Sequence, residues 1–257
     1  MNTRYILFIS LSFLILSCIN RPKVVNEYYP DGMIKKETQM KGGVPNGTIK
    51  TYDERGRLTS TAEVVNGLYE GWMITYNSKN GKVTARAFYK NDQQNGPVNL
   101  YYASGELYRE ETYVDGRVNG PVKTYWKNGK LQAEVDFNMG SPGTGLKEYD
   151  EDGNLEKQPY IIIDEVNQLA RSNAFKLKVY LSDHRKNVDF YLGYLIDGKY
   201  LDPRAIKIKT IDGVAVLQYN ILKQHKVAKR LGIAARTPTK NNNTLLLYKS
   251  YYLNVTN

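Results

Sequence analysis

The sequence predicts an all-β protein in which a tandem repeat of β-hairpins is followed by a small antiparallel β-sandwich. Glycines recur about every 24 residues through the first half of the chain. The segments between them alternate apolar and polar residues, which is the period of a half-buried strand. After Pro159 this period ends, but short strand-like runs separated by turn signals continue. These observations place the boundary between the two parts near residue 159.

Residues 1–17 have the organisation of a secretory signal peptide. One positive charge, at Arg4, precedes an apolar run over residues 5–16, and a small residue, Ser17, follows it. The run is too short to cross a bilayer, because a membrane-spanning helix needs about 20 apolar residues. The sequence therefore predicts a signal that is cleaved rather than a membrane span.

Residues 15–18, Ile-Leu-Ser-Cys, resemble the bacterial lipobox, in which the cysteine is acylated and becomes the first mature residue. Cys18 is also the only cysteine in 257 residues, so the chain cannot form an internal disulfide. The alternative is an ordinary cleavage site with an incidental thiol. The resemblance implies a lipidated tether over residues 18–27, a palmitate-type anchor and a location in the cell envelope, because several acyl chains hold a protein firmly on a bilayer.

The residues after Cys18 bear on which membrane is involved. Ile19 and Asn20 do not resemble the aspartate signal that retains some lipoproteins at the inner membrane. We therefore expect the outer membrane rather than the inner one.

The repeat is defined by several markers that keep the same register. The first glycines are spaced by 24, 25, 24, 24 and 24 residues: Gly32, Gly56, Gly81, Gly105, Gly129 and Gly153. An apolar residue follows each of them two positions later: Ile34, Leu58, Val83, Leu107, Leu131 and Leu155. A tyrosine series runs in step with them: Tyr28, Tyr52, Tyr76, Tyr101, Tyr125 and Tyr149. A second glycine stands five residues before four of these tyrosines: Gly47, Gly71, Gly96 and Gly120.

Each repeat is predicted to contain two strands and two turns. The segment Leu131–Asn138 alternates strictly between apolar and polar residues. Asn-Gly dipeptides favour turns because both residues tolerate positive φ. They occur at Asn46-Gly47, Asn66-Gly67, Asn95-Gly96 and Asn119-Gly120. Successive hairpins are expected to form one long antiparallel ribbon.

The order of tyrosine, glycine and aliphatic residue, with a later Asn-Gly or Glu-Gly, resembles the MORN repeat family. It is closest to a bacterial variant often labelled as an antitoxin component. Residues 66–72, Asn-Gly-Leu-Tyr-Glu-Gly-Trp, are the best single match, and the resemblance covers residues 28–156. It implies the fold of a repeat region over residues 28–158, but little about function, since fold and function separate readily. Residues 140–145 shorten the fifth unit, so the last repeat is expected to be a degenerate cap.

Residues 159–257 are predicted to form a basic β-sandwich of immunoglobulin-like or related topology. About a hundred residues hold six or seven strand-like runs, separated by turn signals such as Asp197-Gly198 and Asp212-Gly213. Residues 221–236 fit either a helix or a strand, and we favour a strand because their neighbours are strands. Residues 21–159 have no net charge, whereas residues 160–257 carry a net charge of +9.

The residue types argue against catalysis, metals and cofactors. The chain has two histidines, His184 and His225, and no cysteine besides Cys18, too few ligands for an ordinary zinc site. Asp183 and His184 are adjacent, and neighbouring strand residues point to opposite faces. Asp150 to Asn154 look like the start of a calcium loop but lack its glycine and distal glutamate, so a turn is expected. We predict no enzyme, no metal and no cofactor.

The tyrosines allow a structural and a functional interpretation. The in-register residues are expected to stack along one face as a structural ladder: Tyr52, Tyr76, Tyr101 and Tyr125. The aromatic residues outside that ladder are candidates for binding a protein partner or a glycan, since such rings offer contact area at low entropic cost. These candidates are Tyr69, Trp72, Tyr102 and Tyr108.

A basic cluster in the last hundred residues is either a solvated face or a contact for an anionic surface. Its members are Lys207, Lys209, Lys223, His225, Lys226, Lys229 and Arg230. For an exported protein, that surface means anionic lipid, lipopolysaccharide or a cell-wall polymer. Nucleic acid fits poorly, because the signal peptide separates the chain from it.

Three functions follow from these expectations. The first is a lipid-anchored adaptor or scaffold whose repeat ribbon binds another envelope protein. The second is binding of an anionic lipid or polymer through the basic sandwich. The third, which the family resemblance implies, is an antitoxin-like neutraliser of a partner protein, although such toxins usually act in the cytoplasm. We favour the adaptor.

Overall fold

The structure is a computed structural model that describes residues 22–257. Over these residues it consists almost entirely of β-strands, with one short helix, α1 (Leu169–Ser172). The all-β prediction is therefore confirmed. The predicted signal peptide and Cys18 lie outside the described residues. Between residues 22 and 257, no helix is long and apolar enough to cross a membrane.

By its internal contacts the chain divides into two compact units. The first unit comprises residues 22–117 together with Lys127–Gly129. The second comprises Val118–Trp126 and Lys130–Asn257. The division falls inside the region predicted to be repetitive, so the last hairpins belong with the second unit.

The hairpin strands form one antiparallel sheet of 13 strands. Its first eight strands are adjacent in sequence order: β1 (Lys23–Tyr28), β2 (Ile34–Lys41), β3 (Val44–Tyr52), β4 (Leu58–Val65), β5 (Leu68–Tyr76), β6 (Val83–Lys90), β7 (Gln93–Tyr101) and β8 (Leu107–Val114). The others are β9 (Arg117–Val118), β10 (Gly120–Tyr125), β11 (Leu131–Asn138), β12 (Ser141–Pro142) and β13 (Lys147–Glu148). The predicted tandem hairpins are confirmed.

Two kinds of turn alternate along the first unit. The longer turn follows the periodic tyrosine, and in β3–β4 the amide of Gly56 donates to the carbonyl of Asp53 at 2.9 Å. The shorter turn has two residues with positive φ, as at Asn66 (φ 50°) and Gly67 (φ 87°). This two-residue geometry matches the right-handed twist of the strands that it joins.

The prediction that every Asn-Gly pair marks a turn is wrong at Asn46-Gly47, Asn95-Gly96 and Asn119-Gly120. The first two pairs lie inside β3 and β7. In the third, Asn119 separates β9 from β10, and Gly120 is the first residue of β10. In β2–β3, Thr38 pairs with Ile49 and Met40 with Pro45, so residues 46–48 face a single residue. These pairs therefore mark β-bulges, which need positive φ for the same steric reason as turns do.

In the first two bulges, a polar residue on the opposite strand completes the hydrogen bonds of the bulge. The side chain of Gln39 accepts the amide of Thr48 at 2.9 Å. One repeat later, the carboxylate of Glu63 accepts the amide of Trp72 at 3.1 Å. Each of these two bulges frees a backbone donor, and a polar side chain of the neighbouring strand satisfies it. The third bulge, in β6–β7, has the apolar Phe88 in that position.

The register assigns the residues of the first unit to two faces of the sheet. One face, here called the apolar face, carries the more buried column of paired residues: Thr38, Ile49, Ala62, Met73, Ala87 and Val98. The other, here called the ladder face, carries the adjacent column: Glu37, Lys50, Thr61, Ile74, Arg86 and Asn99. The predicted alternation is confirmed, since Ala62 and Val64 are 5% and 3% exposed while Glu63 between them is exposed.

The second unit contains a β-sandwich of two four-stranded sheets. The eight strands of the sandwich are β14 (Ile161–Gln168), β15 (Ala174–Leu181), β16 (Asp189–Leu192), β19 (Ile206–Ile208), β20 (Thr210–Ile211), β21 (Val214–Asn220), β22 (Lys226–Pro238) and β23 (Thr244–Thr256). Two further short strands, β17 (Leu195–Ile196) and β18 (Tyr200–Leu201), form a separate two-stranded sheet. The sheet orders are β14-β15-β21-β20 and β19-β16-β22-β23. The segment that fitted a helix or a strand is the strand β22, as we favoured.

The two sheet orders agree with an immunoglobulin-like topology. In chain order, β14, β15, β20 and β21 correspond to strands A, B, D and E, whereas β16, β22 and β23 correspond to C, F and G. Strand β19 extends the second sheet next to β16. One apolar cluster fills the space between the sheets, with Phe190 and Leu177 each 0% exposed.

The last hairpin packs within the second unit. Leu146, Ala133 and Leu245 form a second buried cluster. Glu148 is 4% exposed, and its carboxylate accepts hydrogen bonds from Thr239 and Asn243, both at 2.7 Å. The sequence after β11 therefore provides short strands and packing contacts instead of another full hairpin.

Candidate binding surfaces

Two of the ladder tyrosines, Tyr52 and Tyr76, use their hydroxyl groups rather than their ring faces. The Tyr52 hydroxyl donates to the Glu37 carboxylate at 3.0 Å, and the Tyr76 hydroxyl lies 3.5 Å from the Thr61 hydroxyl. Tyr52 and Tyr76 make no ring contact with each other, so the stacking prediction is wrong for this pair. Equivalent residues are two strands apart, about 9–10 Å, which is too far for stacking. Burial, together with Glu37, raises the pKa of Tyr52 above its usual value.

Hydrogen bonds join the turns of successive repeats at both ends of the strands. In the first unit, the Tyr29 hydroxyl donates to the Tyr52 carbonyl at 2.8 Å. At the opposite end of the strands, where the short turns lie, the Gly67 amide donates to the Pro45 carbonyl at 2.8 Å, and the Gly116 amide donates to the Gln94 carbonyl at 3.0 Å. The turns are therefore fixed to one another, which keeps the spacing between repeats constant.

The four aromatic candidates form separate pairs rather than one platform. All four are half-buried: Tyr69, Trp72, Tyr102 and Tyr108. Trp72 contacts Phe88 edge to face with ring centroids 5.4 Å apart, and Tyr102 contacts Tyr108 at 5.1 Å. Tyr69 contacts Tyr89 at 5.9 Å.

The register separates these pairs between the two faces. Trp72 and Phe88 are cross-strand neighbours on the ladder face. Tyr108 lies on the same face, because it stands two residues before Glu110, the cross-strand neighbour of Asn99. Tyr89 pairs with Gly71 on the apolar face. Tyr69 therefore does not share a surface with the other candidates.

Grooves lie between successive tyrosine turns of the first unit. One groove has a volume of 630 Å³, and Lys82, Arg86, Tyr101 and Glu106 contribute to its lining. A second has a volume of 610 Å³, and its lining includes Asp53, Arg57 and Lys79. Glycine or Asx-type turns form the walls in both cases. The grooves therefore recur along the strand ends that carry the tyrosine turns.

Arg86 is a residue of the first groove that the sequence analysis missed. Its guanidinium carbon lies 4.9 Å from the ring centroid of Trp72. Its Nε atom is buried and has no hydrogen-bond partner among residues 22–257. The available signal was its position, because Arg86 stands one repeat after Thr61 and two after Glu37.

Other charges surround Arg86 in the groove. The Lys82 ammonium donates to the Ser104 carbonyl. Hydrogen bonds from the Ser104 side chain and from the backbone hold the pKa of Glu106 below its usual value, and Lys82 and Lys127 add to this effect. Glu106 therefore stays ionised at the rim, near the two cations Lys82 and Lys127.

The candidate basic residues predicted from the sequence are all exposed but do not form one cluster. The Lys207 ammonium is 2.8 Å from the Asp189 carboxylate. The Lys229 ammonium lies 4.5 Å from the ring centroid of Tyr219, on the side of β22 that faces the core. Lys226 and Arg230 point to the opposite side of that strand, because alternate strand residues share a face. Lys209 and Lys223 lie in connecting segments.

Exposed aromatic rings accompany the outward basic residues. Tyr252 pairs with Arg230 in the ladder and is 61% exposed. Tyr194 is 57% exposed, and its hydroxyl donates to the Arg230 carbonyl at 3.1 Å. Within residues 22–257, no carboxylate forms an ion pair with Lys226 or Arg230. Tyr194, Lys226, Arg230 and Tyr252 are hereafter called the outer basic face.

The groups considered for catalysis have other contacts. The His184 ring stacks on Tyr180 with centroids 5.1 Å apart, and the Asp183 carboxylate binds Arg185 at 2.6 Å. The Asp150 carboxylate accepts the amides of Asp152 and Asn154 at 3.0 and 2.8 Å, so the turn prediction is confirmed there. In the described part of the chain, no three His, Cys, Asp or Glu residues are placed to hold a metal ion.

A family model described as a MORN repeat variant matches residues 94–115 and 118–139. The match covers β7 and β8 and then β10 and β11, so a MORN repeat variant is present at residues 94–139. The earlier hairpins, from β2 to β6, show the same bulge and turn positions. The search of curated proteins found no match.

Proposed function

We propose that this protein is a non-enzymatic, lipid-anchored envelope protein that binds another envelope protein through its hairpin-repeat sheet. The observation that carries this proposal is the recurrence of grooves between the tyrosine turns, with volumes of 630 and 610 Å³. Concave sites of this size suit side chains of a partner. Because the turns are held by hydrogen bonds between repeats, the surface is preorganised, which reduces the entropic cost of binding.

The MORN repeat variant at residues 94–139 supports the same proposal. Repeats of this kind often serve as scaffolds for protein or lipid binding. Trp72, Tyr102 and Tyr108 add half-buried aromatic area to the ladder face, and aromatic residues are enriched where interfaces gain most of their energy.

Position-specific photo-crosslinking in intact cells tests the adaptor proposal. A photoreactive residue at Ser104, which is exposed in the wall of the larger groove, is expected to give one discrete crosslinked protein. The matched control is Thr75, which is exposed on the apolar face of the same sheet. Equal products from the two positions, or none from Ser104, would exclude this face as the binding surface.

The lipid anchor has a separate test. Replacing Cys18 with Ala is expected to move the protein from the membrane fraction to the soluble fraction and to abolish incorporation of labelled palmitate. Ser12→Ala, within the apolar run, is the control and should leave both unchanged. A Cys18→Ala protein that stays in the membrane fraction after a high-salt wash contradicts the anchor.

A second candidate function is binding of an anionic lipid, lipopolysaccharide or cell-wall polymer through the outer basic face. The observation that favours it is the pair Lys226 and Arg230, which point outward without a carboxylate partner among the described residues and lie near exposed Tyr194 and Tyr252. Basic residues near an anionic membrane contribute about 1 kcal/mol each.

Vesicle binding by the unlipidated Cys18→Ser protein tests this second function. We expect binding to phosphatidylglycerol vesicles at low salt, weakening as salt shortens the Debye length. Replacing Lys226 and Arg230 with Glu should abolish it. The control replaces Lys176 and Lys178 with Glu, which changes the net charge equally on the other sheet. Equal losses from both double variants would mean that only net charge matters.

A further inference from the structure

The residue that faces each ladder tyrosine changes along the sheet. In the first unit, Glu37 accepts the Tyr52 hydroxyl at 3.0 Å, and Thr61 lies 3.5 Å from the Tyr76 hydroxyl. The register carries this column on from Thr61 through Ile74 to Arg86. Arg86 and Tyr101 line the same groove. The third repeat therefore has a cation where the first has a carboxylate.

This exchange leaves two polar groups without internal partners. A guanidinium has no acceptor, so Arg86 cannot replace Glu37 as the acceptor for a tyrosine hydroxyl. Among residues 22–257, neither the Arg86 guanidinium nor the Tyr101 hydroxyl makes a hydrogen bond, and the Arg86 Nε is buried. A buried donor without a partner costs about 1–3 kcal/mol. The groove is therefore incomplete as a hydrogen-bonding site.

The guanidinium is nevertheless held in place. It stacks at 4.9 Å on Trp72, which itself packs on Phe88. Such a fixed guanidinium loses little entropy when it binds a planar anion with two parallel hydrogen bonds. Lys82 adds a second cation to the same groove, and the single carboxylate at the rim, Glu106, does not balance both.

We propose that this groove binds a carboxylate from an acidic segment of the partner protein. The incoming carboxylate accepts hydrogen bonds from the Arg86 terminal nitrogens and from the Tyr101 hydroxyl, the role that Glu37 has toward Tyr52. The groove volume of 630 Å³ leaves room for the rest of an acidic side chain and its backbone. This inference rests on the proposed adaptor function, for which it specifies the chemistry of the partner.

The second groove does not offer an equivalent site. Its lining holds three cations, Arg55, Arg57 and Lys79, but no ladder tyrosine. Asp53 binds Arg57 at 2.7 Å within the same turn. Glu54 also lines that groove and would repel an incoming carboxylate. A third groove, of 390 Å³, is lined by Arg57 and Tyr76, but Asp53 binds Arg57 and the Tyr76 hydroxyl lies 3.5 Å from the Thr61 hydroxyl. We therefore expect one such site in residues 22–117.

The direct test titrates a short acidic peptide, acetyl-Glu-Glu-Glu-amide, into the unlipidated Cys18→Ser protein. Saturable shifts of the Arg86 Nε–H and Trp72 indole N–H resonances are expected, since the two side chains are in contact. The control peptide acetyl-Gln-Gln-Gln-amide should cause no saturable shift. Equal shifts with both peptides overturn the proposal. Inorganic phosphate that displaces the acidic peptide and binds more tightly overturns the choice of a carboxylate.

Two substitutions of Arg86 test the site with residues that the repeat already tolerates. Arg86→Thr copies Thr61, and Arg86→Glu copies Glu37 and gives Tyr101 an internal acceptor. Both should weaken peptide binding about ten-fold or more, the loss expected for a charged hydrogen bond. Lys90→Thr is the control, because Lys90 is exposed on the same face of the same strand. It should change affinity less than about two-fold.

The Arg86→Thr variant also separates this inference from the adaptor function. If Ser104 still crosslinks the same protein at the same yield in Arg86→Thr, the carboxylate site is wrong and the adaptor stands. If Ser104 gives no product in the unmodified protein while the acidic peptide still binds, the adaptor fails and the carboxylate site stands. Loss of both the product and peptide binding in Arg86→Thr, with an unchanged melting temperature, supports the inference.

Discussion

The hairpin sheet of the first unit and the β-sandwich of the second both consist of strands that alternate apolar and polar residues, but the sandwich buries its apolar residues more completely. In the sandwich, Phe190, Leu177 and Leu253 are 0% exposed between two sheets. In the first unit, the buried apolar residues are smaller and keep more exposure, with Val64 at 3% and Ile49 at 8%. Alternation alone therefore does not determine how much surface a strand buries.

The two regions also differ in which strands pair. From β1 to β8, each strand pairs with its sequence neighbours. In the sandwich, β15 pairs with β21 and β16 with β22, so distant segments must meet before the core forms. A repeat array of the first kind has roughly additive stability, since each unit contacts only its neighbours. A closed core of the second kind depends on all its members together.

The largest expected effect comes from deletions that test this difference. Removing residues 52–75 joins Thr51 to Tyr76 and deletes one period of 24 residues, so the two-strand alternation continues. This protein is expected to fold and to keep a cooperative circular-dichroism melting curve at a somewhat lower temperature, because one repeat and its interface are lost. Removing residues 64–75 deletes about one strand and exchanges the two faces of every strand that follows. In the protein that lacks residues 64–75, the first unit is expected not to fold. Equal melting curves for the two deletions would contradict a modular sheet.

A core substitution should have the next largest effect. Phe190→Ala in the sandwich is expected to cost about 3–5 kcal/mol, as for other fully buried phenylalanines. Phe88→Ala is the control in the first unit, where Phe88 is half-buried against Trp72 at 5.4 Å, and should cost about 1–2 kcal/mol. Hydrogen exchange of segments 174–181 and 83–90 measures each region separately. Similar losses in the two regions would show that burial depth does not distinguish them.

The sequence predicted the period and the strands of the sheet because each repeat makes the same local contacts. It misplaced three Asn-Gly pairs, since positive φ serves a bulge as well as a turn, and only the strand pairing distinguishes them. Gln39 and Glu63, which satisfy the bulges, carry no signal of this role without the register. The predicted stacking of Tyr52 on Tyr76 is wrong because a period of 24 residues spans two strands rather than one, which places the two rings too far apart.

The candidate sites were harder to predict than the fold. Lys226, Lys229 and Arg230 are close in sequence, but strand alternation directs Lys229 to Tyr219 and the other two outward. Arg86 could not be predicted as a site residue because a single arginine on a strand carries no signal by composition. Arg86 stands out only by comparison with Glu37, the acidic residue at the same repeat position two repeats earlier, which accepts the Tyr52 hydroxyl.

The smallest expected effect concerns a tyrosine–carboxylate pair in each region at alkaline pH. The Tyr251 hydroxyl in the sandwich donates to Glu165. Burial first, and then Glu165, raise the pKa of Tyr251 from 10.0 to about 12. A raised pKa means that the folded state holds the proton more tightly, so this stabilisation is complete below pH 10 and is lost as pH rises toward 12.

Tyr251→Phe removes that stabilisation at every pH, so the free energy of unfolding should fall less steeply between pH 10 and 12 than in the unmodified protein. Tyr52→Phe is the matched variant in the first unit, where burial and Glu37 raise the pKa of Tyr52 in the same direction. Its effect on the slope should be smaller, because Tyr52 lies on one sheet with no second sheet packed over it within residues 22–117. Urea unfolding at several alkaline pH values measures both slopes. A larger change from Tyr52→Phe would mean that the open sheet shields its hydroxyls more effectively than the sandwich does.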